Sequence, residues 1–222
     1  MMRTWLKICL VALAVAVAGA VAPPVAFGQI TGTDHDFSAA GEAGDPCRTC
    51  HVPHNPGSGL GLLWNHTLSL NTLTFGTGQT TVAGTNLPTN INTWTGTTRY
   101  CLSCHDGSVA IGNVISGTDW GSTTNFVTGD KVIAPSGNLL GNHPVAIPYP
   151  DQVGAIYNGI TTGHTTAAPT NGFVLAPAGV KIYGTTAGQK GIECASCHDP
   201  HKNATKFLRV AEASLCQSCH IK

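Results

Sequence analysis

Cys194-Ala195-Ser196-Cys197-His198-Asp199-Pro200-His201 is the stretch on which the reading of this chain turns. Its first five residues have three counterparts: Cys47-Arg48-Thr49-Cys50-His51, Cys101-Leu102-Ser103-Cys104-His105 and Cys216-Gln217-Ser218-Cys219-His220. Two thiols one helical turn apart can each form a thioether to a vinyl group of one porphyrin. The adjoining His then turns its imidazole onto the iron. Four copies predict four haem c groups. Cys47, Cys50, Cys101, Cys104, Cys194, Cys197, Cys216 and Cys219 would hold the porphyrins, and His51, His105, His198 and His220 would be the proximal iron ligands. A redox disulfide or zinc bound by four thiolates also uses C-x-x-C. Neither explains a His after the second Cys in every copy.

The second axial ligand sets a haem's potential and its openness to substrate. The only methionines are Met1 and Met2, and both fall in a segment expected to be removed. Six histidines lie outside the motifs: His35, His54, His66, His143, His164 and His201. Four are needed to close four irons, so the composition predicts bis-histidine haems. His54 and His201 each follow a motif His by three residues, with a proline fixing the backbone between them. Each is expected to lean away from its own haem towards a neighbour. His143 is presented rigidly by Pro144. His35 sits between Asp34 and Asp36, and a carboxylate on its second ring nitrogen would fix its tautomer. His35, His54, His143 and His201 are the expected distal ligands. His66, beside Trp64, is a weaker fifth candidate, and His164 reads as a surface loop residue.

Residues 1–28 read as a secretory signal peptide: Arg3 and Lys7, an apolar run from Leu10 to Ala22, then Ala26-Phe27-Gly28 at the cleavage positions. The run is short for a membrane anchor and ends at Pro23-Pro24. The remaining 29–222 reads as a single tetrahaem cytochrome domain with no membrane span. All eight of its cysteines belong to the motifs, which leaves none for a disulfide. It carries 9 basic against 11 acidic residues once Arg3 and Lys7 leave, and no basic patch that would suggest nucleic acid.

Aromatic residues are only 6% of the chain, thin material for a core. The expected fold is mostly irregular coil, with short helices at the haem sites, a few short strands and a core organised by haem. Leu68-Ser69-Leu70-Asn71 and Thr93-Trp94-Thr95 alternate like strands, and the residues from Phe207 to Ala213 read as a helix. No Asp, Glu, Lys or Arg lies between Arg48 and Arg99. Such a surface is poorly protected against association and suits either a secreted loop or a subunit interface.

Taken with Asp34 to Ser38, Leu63 to His66 and His143-Pro144-Val145, the motifs resemble the paired C-x-x-C-H multihaem cytochrome family. In number and order of haems the chain is similar to extracellular tetrahaem cytochromes that polymerise into conductive filaments, the outer-surface cytochrome E type. The resemblance implies a non-enzymatic electron-transfer protein, exported to the cell surface or outside the cell. Its partners would be copies of itself and redox proteins or extracellular acceptors. It also implies one axial His supplied by the next subunit, with His35 as the expected donor. The alternatives are a soluble periplasmic tetrahaem carrier, a multihaem reductase with one open haem, and a surface protein in which haem serves mainly as core.

Overall fold

The computed structural model describes residues 29–38, 45–82, 84–94, 96–117, 124–149, 173–175, 179–183 and 191–220. The expected signal peptide and His164 lie outside them. Most of the described chain is turn and coil. Helix α1 spans Thr98–His105 and contains the second motif. Strands β1 (Ile147–Pro148), β2 (Phe173–Leu175), β3 (Lys181–Tyr183) and β4 (Gly191–Ile192) follow. Helix α2 (Cys194–Cys197) is the third C-x-x-C, and α3 (Glu212–Leu215) leads into a 3-10 turn over Cys216–Ser218, inside the fourth. Each C-x-x-C is thus held in a helix or turn, the local form that brings two thiols to one side.

The strands form one antiparallel sheet in the order β1-β4-β3-β2. Gly191 permits the β1–β4 contact, because a Cβ there would lie 1.7 Å from the Ile147 carbonyl oxygen. The sheet connects directly to the third motif, since β4 runs through Glu193 into α2.

Two apolar clusters support these elements. Leu73, Phe75, Ile91, Trp94, Leu102, Ala134, Leu139 and Ala146 form the first, against α1. Tyr149, Val180, Ile182 and Ile192 form the second, closed by Val210, Leu215 and Cys219. Val145 packs against both. Burying each large side chain contributes roughly 1.5–3 kcal/mol. The uncharged insert therefore has a protein core of its own, supplied by Leu73, Phe75, Ile91 and Trp94.

Two local expectations need correction. The alternation at 68–71 does not make a strand. Ser69 is turned inward, donating to the Asp106 carboxylate, and Leu70 is 98% exposed. A buried acid that needs donors outweighs the apolar pattern there. Nor is the segment from Phe207 to Ala213 one helix. Lys206 and Phe207 both have φ of 55°. Leu208 pairs with His198 across an antiparallel bridge, and helix begins only at Glu212. Arg209 is drawn inward to Ala195, Asp199 and Tyr183, and those bonds replace a helical turn.

Candidate haem sites

The first and third motifs are held by the same device. After His51 the chain turns back so that Trp64 bridges to it. After His198 it turns back so that Leu208 does. In the first, Val52 N–H donates to Leu63 O (3.0 Å) and Asn65 N–H to Cys50 O (2.9 Å). In the third, Asp199 N–H donates to Phe207 O (2.7 Å) and Arg209 N–H to Cys197 O (2.9 Å). Asn65 Nδ2 reaches Arg48 O at 2.8 Å, and Arg209 Nε reaches Ala195 O at 2.7 Å, the matching carbonyl of each motif. Positive φ at Leu62 and Leu63 answers positive φ at Lys206 and Phe207.

The purpose of the turn is seen at the imidazole. His51 Nδ1 donates to Leu62 O at 2.6 Å, His198 Nδ1 to Lys206 O at 2.7 Å, and His105 Nδ1 to Lys131 O at 2.8 Å. A carbonyl can only accept, so the proton is on Nδ1 and Nε2 keeps its lone pair. That is the tautomer of an axial ligand held by an outer partner.

Non-motif imidazoles then meet motif imidazoles. The ring centres of His35 and His105 are 6.0 Å apart, those of His51 and His201 6.1 Å, and those of His143 and His220 6.3 Å. Two metal–nitrogen bonds of about 2 Å, collinear through one ion, separate ring centres by about 6 Å. The donor sets therefore fit an axially ligated iron. His35 is also stacked on Phe207 at 4.5 Å. Burial first, and then the neighbouring His105, lower its pKa to about 4, so the ring is neutral at physiological pH, as a ligand must be. Its Nδ1 is buried with no hydrogen-bond partner. The expected carboxylate support is absent, since Asp36 accepts from Gly32 and Ser38 instead.

The other candidates are placed differently. His66 is 1% exposed, with Nδ1 at 3.0 Å from Ser103 Oγ and Nε2 at 3.0 Å from Ala110 O. Both nitrogens are engaged inside the fold, which suits a structural role under α1. His54 is exposed, with no ring or hydrogen-bond partner among the described residues. His198 is also exposed and faces no second imidazole at the pair distance among them.

No disulfide joins the eight described cysteines. Burial raises the pKa of Cys50 to about 11, that of Cys104 to about 12 and that of Cys197 to about 11. No group of three or more described His, Cys, Asp or Glu residues could hold a metal ion by itself. The motifs lie near one another in chain order. Cys50 adds to the upward shift at Cys104, Cys101 is hydrogen-bonded to Cys194, and Cys219 adds to the shift at Cys197. Sequence reasoning missed the carbonyls of Leu62, Lys131 and Lys206, because a backbone acceptor leaves no residue signature.

Residues 187–222, which hold motifs three and four, match the family described as the doubled CXXCH motif. No curated protein matches the chain. The match supports a multihaem c-type cytochrome-like chain with covalently bound haem c and a role in electron transfer. A c-type motif implies export from the cytoplasm, and no helix among the described residues is long and apolar enough to cross a membrane.

Proposed function

We propose that the chain is an exported electron-transfer protein carrying four bis-histidine haem c groups around which its core is organised, and that copies join end to end in an extracellular filament. One observation carries the reading. Three times, a motif His and a non-motif His face each other with ring centres 6.0–6.3 Å apart. In this reading His201 closes the iron of His51, His35 that of His105, and His143 that of His220. When bound, haem supplies one-electron cycling of iron. The chain's own residues orient the imidazoles, hold their tautomers through backbone carbonyls and exclude water.

The shared turn supports the filament. The third motif's turn presents His201 to the His51 of the first motif. The first motif's turn offers His54 in the same way, to no described residue of its own chain, while His198 of the third motif faces none of the described imidazoles. His54 of one copy closing the iron of His198 in the next repeats the internal relation between chains. His54 thereby replaces His35 as the donated ligand. Such a contact is heterologous, and unless its rotation closes a ring it generates an open filament.

A pyridine haemochrome assay tests the haem count, with four per chain expected. Paramagnetic resonance of the oxidised assembly is expected to show low-spin iron at every site but the one terminal iron of each filament, and electron microscopy elongated particles. A monodisperse monomer under all conditions would overturn the filament and leave electron transfer standing. The open position at His198 in an unassembled chain favours one second reading, a reductase acting at that iron. Carbon monoxide uptake by the reduced, fully assembled protein well beyond one per filament would support it.

A further inference from the structure

Motifs two and three are separated by 88 residues in sequence and meet at their first residues. Thr98, which opens α1, donates its backbone N–H to Glu193 Oε2 at 2.7 Å. Cys194, which opens α2, donates its backbone N–H to Thr98 Oγ1 at 3.2 Å. Each helix start therefore has one of its unsatisfied donors answered by a side chain from the other motif. These are the donors a helix cannot satisfy within itself. The Cys101 and Cys194 thiols touch just beyond this exchange. Both Thr98 and Glu193 are 1% exposed, and Glu193 N–H is fixed by Ser196 Oγ at 2.8 Å. Gly96 makes room, since a Cβ there would lie 1.9 Å from Glu193 Oε1.

We infer that Glu193 is a positioning residue: its carboxyl, exchanged with Thr98, locks the two helices together and so sets the spacing and angle between the haems of motifs two and three. Neither helix alone fixes that geometry. α2 has only four residues, and α1 gains no cap from its own Thr97. Electron tunnelling falls steeply with the distance between porphyrin edges, so a small slip at this contact would slow the central step of the chain. The inference rests on motifs two and three both carrying haem, but not on the assignment of any distal histidine.

The test compares Glu193→Gln, Glu193→Ala and Gly96→Ala with the parent protein and an exposed control, Glu212→Gln. The haemochrome assay counts haems, and the Soret circular-dichroism couplet reports the relative orientation of neighbouring haems. E193Q keeps an acceptor for Thr98 N–H, so it and E212Q are expected to keep both the haem count and the couplet. E193A and G96A, taken at full haem content, are expected to lose couplet intensity. If E193A is not recovered loaded, G96A decides. A parental couplet in loaded E193A or G96A overturns the inference, as does an E193Q couplet as weak as that of G96A. Fewer than four haems in the parent would instead count against the four-haem reading itself.

Discussion

The turn at 47–65 and the turn at 194–209 are built on one plan, and two of the positions at which they differ decide how each is anchored. Where the first has Val52 and Asn65, the third has Asp199 and Arg209. Asn65 and Arg209 each reach the same carbonyl of their motif. Only Arg209 goes on to Asp199, at 2.7 Å, and to the Tyr183 hydroxyl, at 3.1 Å. Asp199 Oδ1 in turn accepts the His201 N–H at 3.2 Å and lies 3.4 Å from His201 Nδ1. The third turn is anchored to the sheet and its trailing imidazole is steadied. In the first, Trp64 stacks on Tyr100 at 4.7 Å and Gly61 N–H donates to the Tyr100 hydroxyl, which ties the turn to α1, but His54 has no such support. A plan used twice thus brings one trailing imidazole against a motif imidazole and leaves the other exposed, with no ring or hydrogen-bond partner among the described residues.

The largest test exchanges the two trailing histidines. His201→Ala should convert one of four irons to a high-spin, carbon-monoxide-binding form whether or not copies assemble. His54→Ala should leave the isolated chain's spectrum unchanged and abolish filaments. If both variants behave alike, the division of labour between the turns fails. Next, Arg209→Ala strips a nearly buried guanidinium from three acceptors and should cost about 3 kcal/mol, read as a shift in the thermal midpoint. Asn65→Ala removes the matching bond and the one Oδ1 accepts from Ser116 N–H, and should cost about 1–2 kcal/mol. Equal losses would mean that the added ion pair contributes nothing.

Two carboxyls in the third motif should give pH dependences of opposite sign, and the first turn has neither. Burial raises the Glu193 pKa from 4.5 to about 7. Below 4.5 the group is protonated folded or unfolded. Between 4.5 and 7 only the folded state keeps the proton, so stability falls as pH rises through this window, by roughly 3 kcal/mol at most. E193Q should flatten that slope in thermal melts. The smallest effect belongs to Asp199. Burial acts to raise its pKa, but Arg209, the His201 N–H and Lys181 outweigh that and hold it below its ordinary value. Its stabilisation is present above the unfolded pKa and is lost as pH falls through the folded one. In acid, amide exchange should open the third turn more than the first, and Asp199→Asn should remove the difference.

How much of this is legible in sequence depends on the link. The motifs are legible because covalent chemistry fixes their spacing. The set of spare imidazoles is legible because an iron needs a sixth ligand and the chain's methionines are confined to its first two residues. Which imidazole meets which is not, because His201 reaches His51 across 150 residues of chain. The duplicated turn is hidden for a different reason. Trp64 follows His51 by 13 residues and Leu208 follows His198 by 10, and the bonds that match are backbone bonds indifferent to side chain. His66 misleads because proximity to a motif in sequence says nothing of whether its nitrogens are already engaged.

His198, which faces no second imidazole among the described residues, has a consequence familiar from polymer chemistry. In the reading proposed here, each assembly, whatever its length, ends in one iron without its sixth ligand and, at the other end, one histidine without an iron. Carbon monoxide titrated against total haem would then count chain ends. The same spectrum would report average length, and added imidazole would act as a capping reagent at one terminus only.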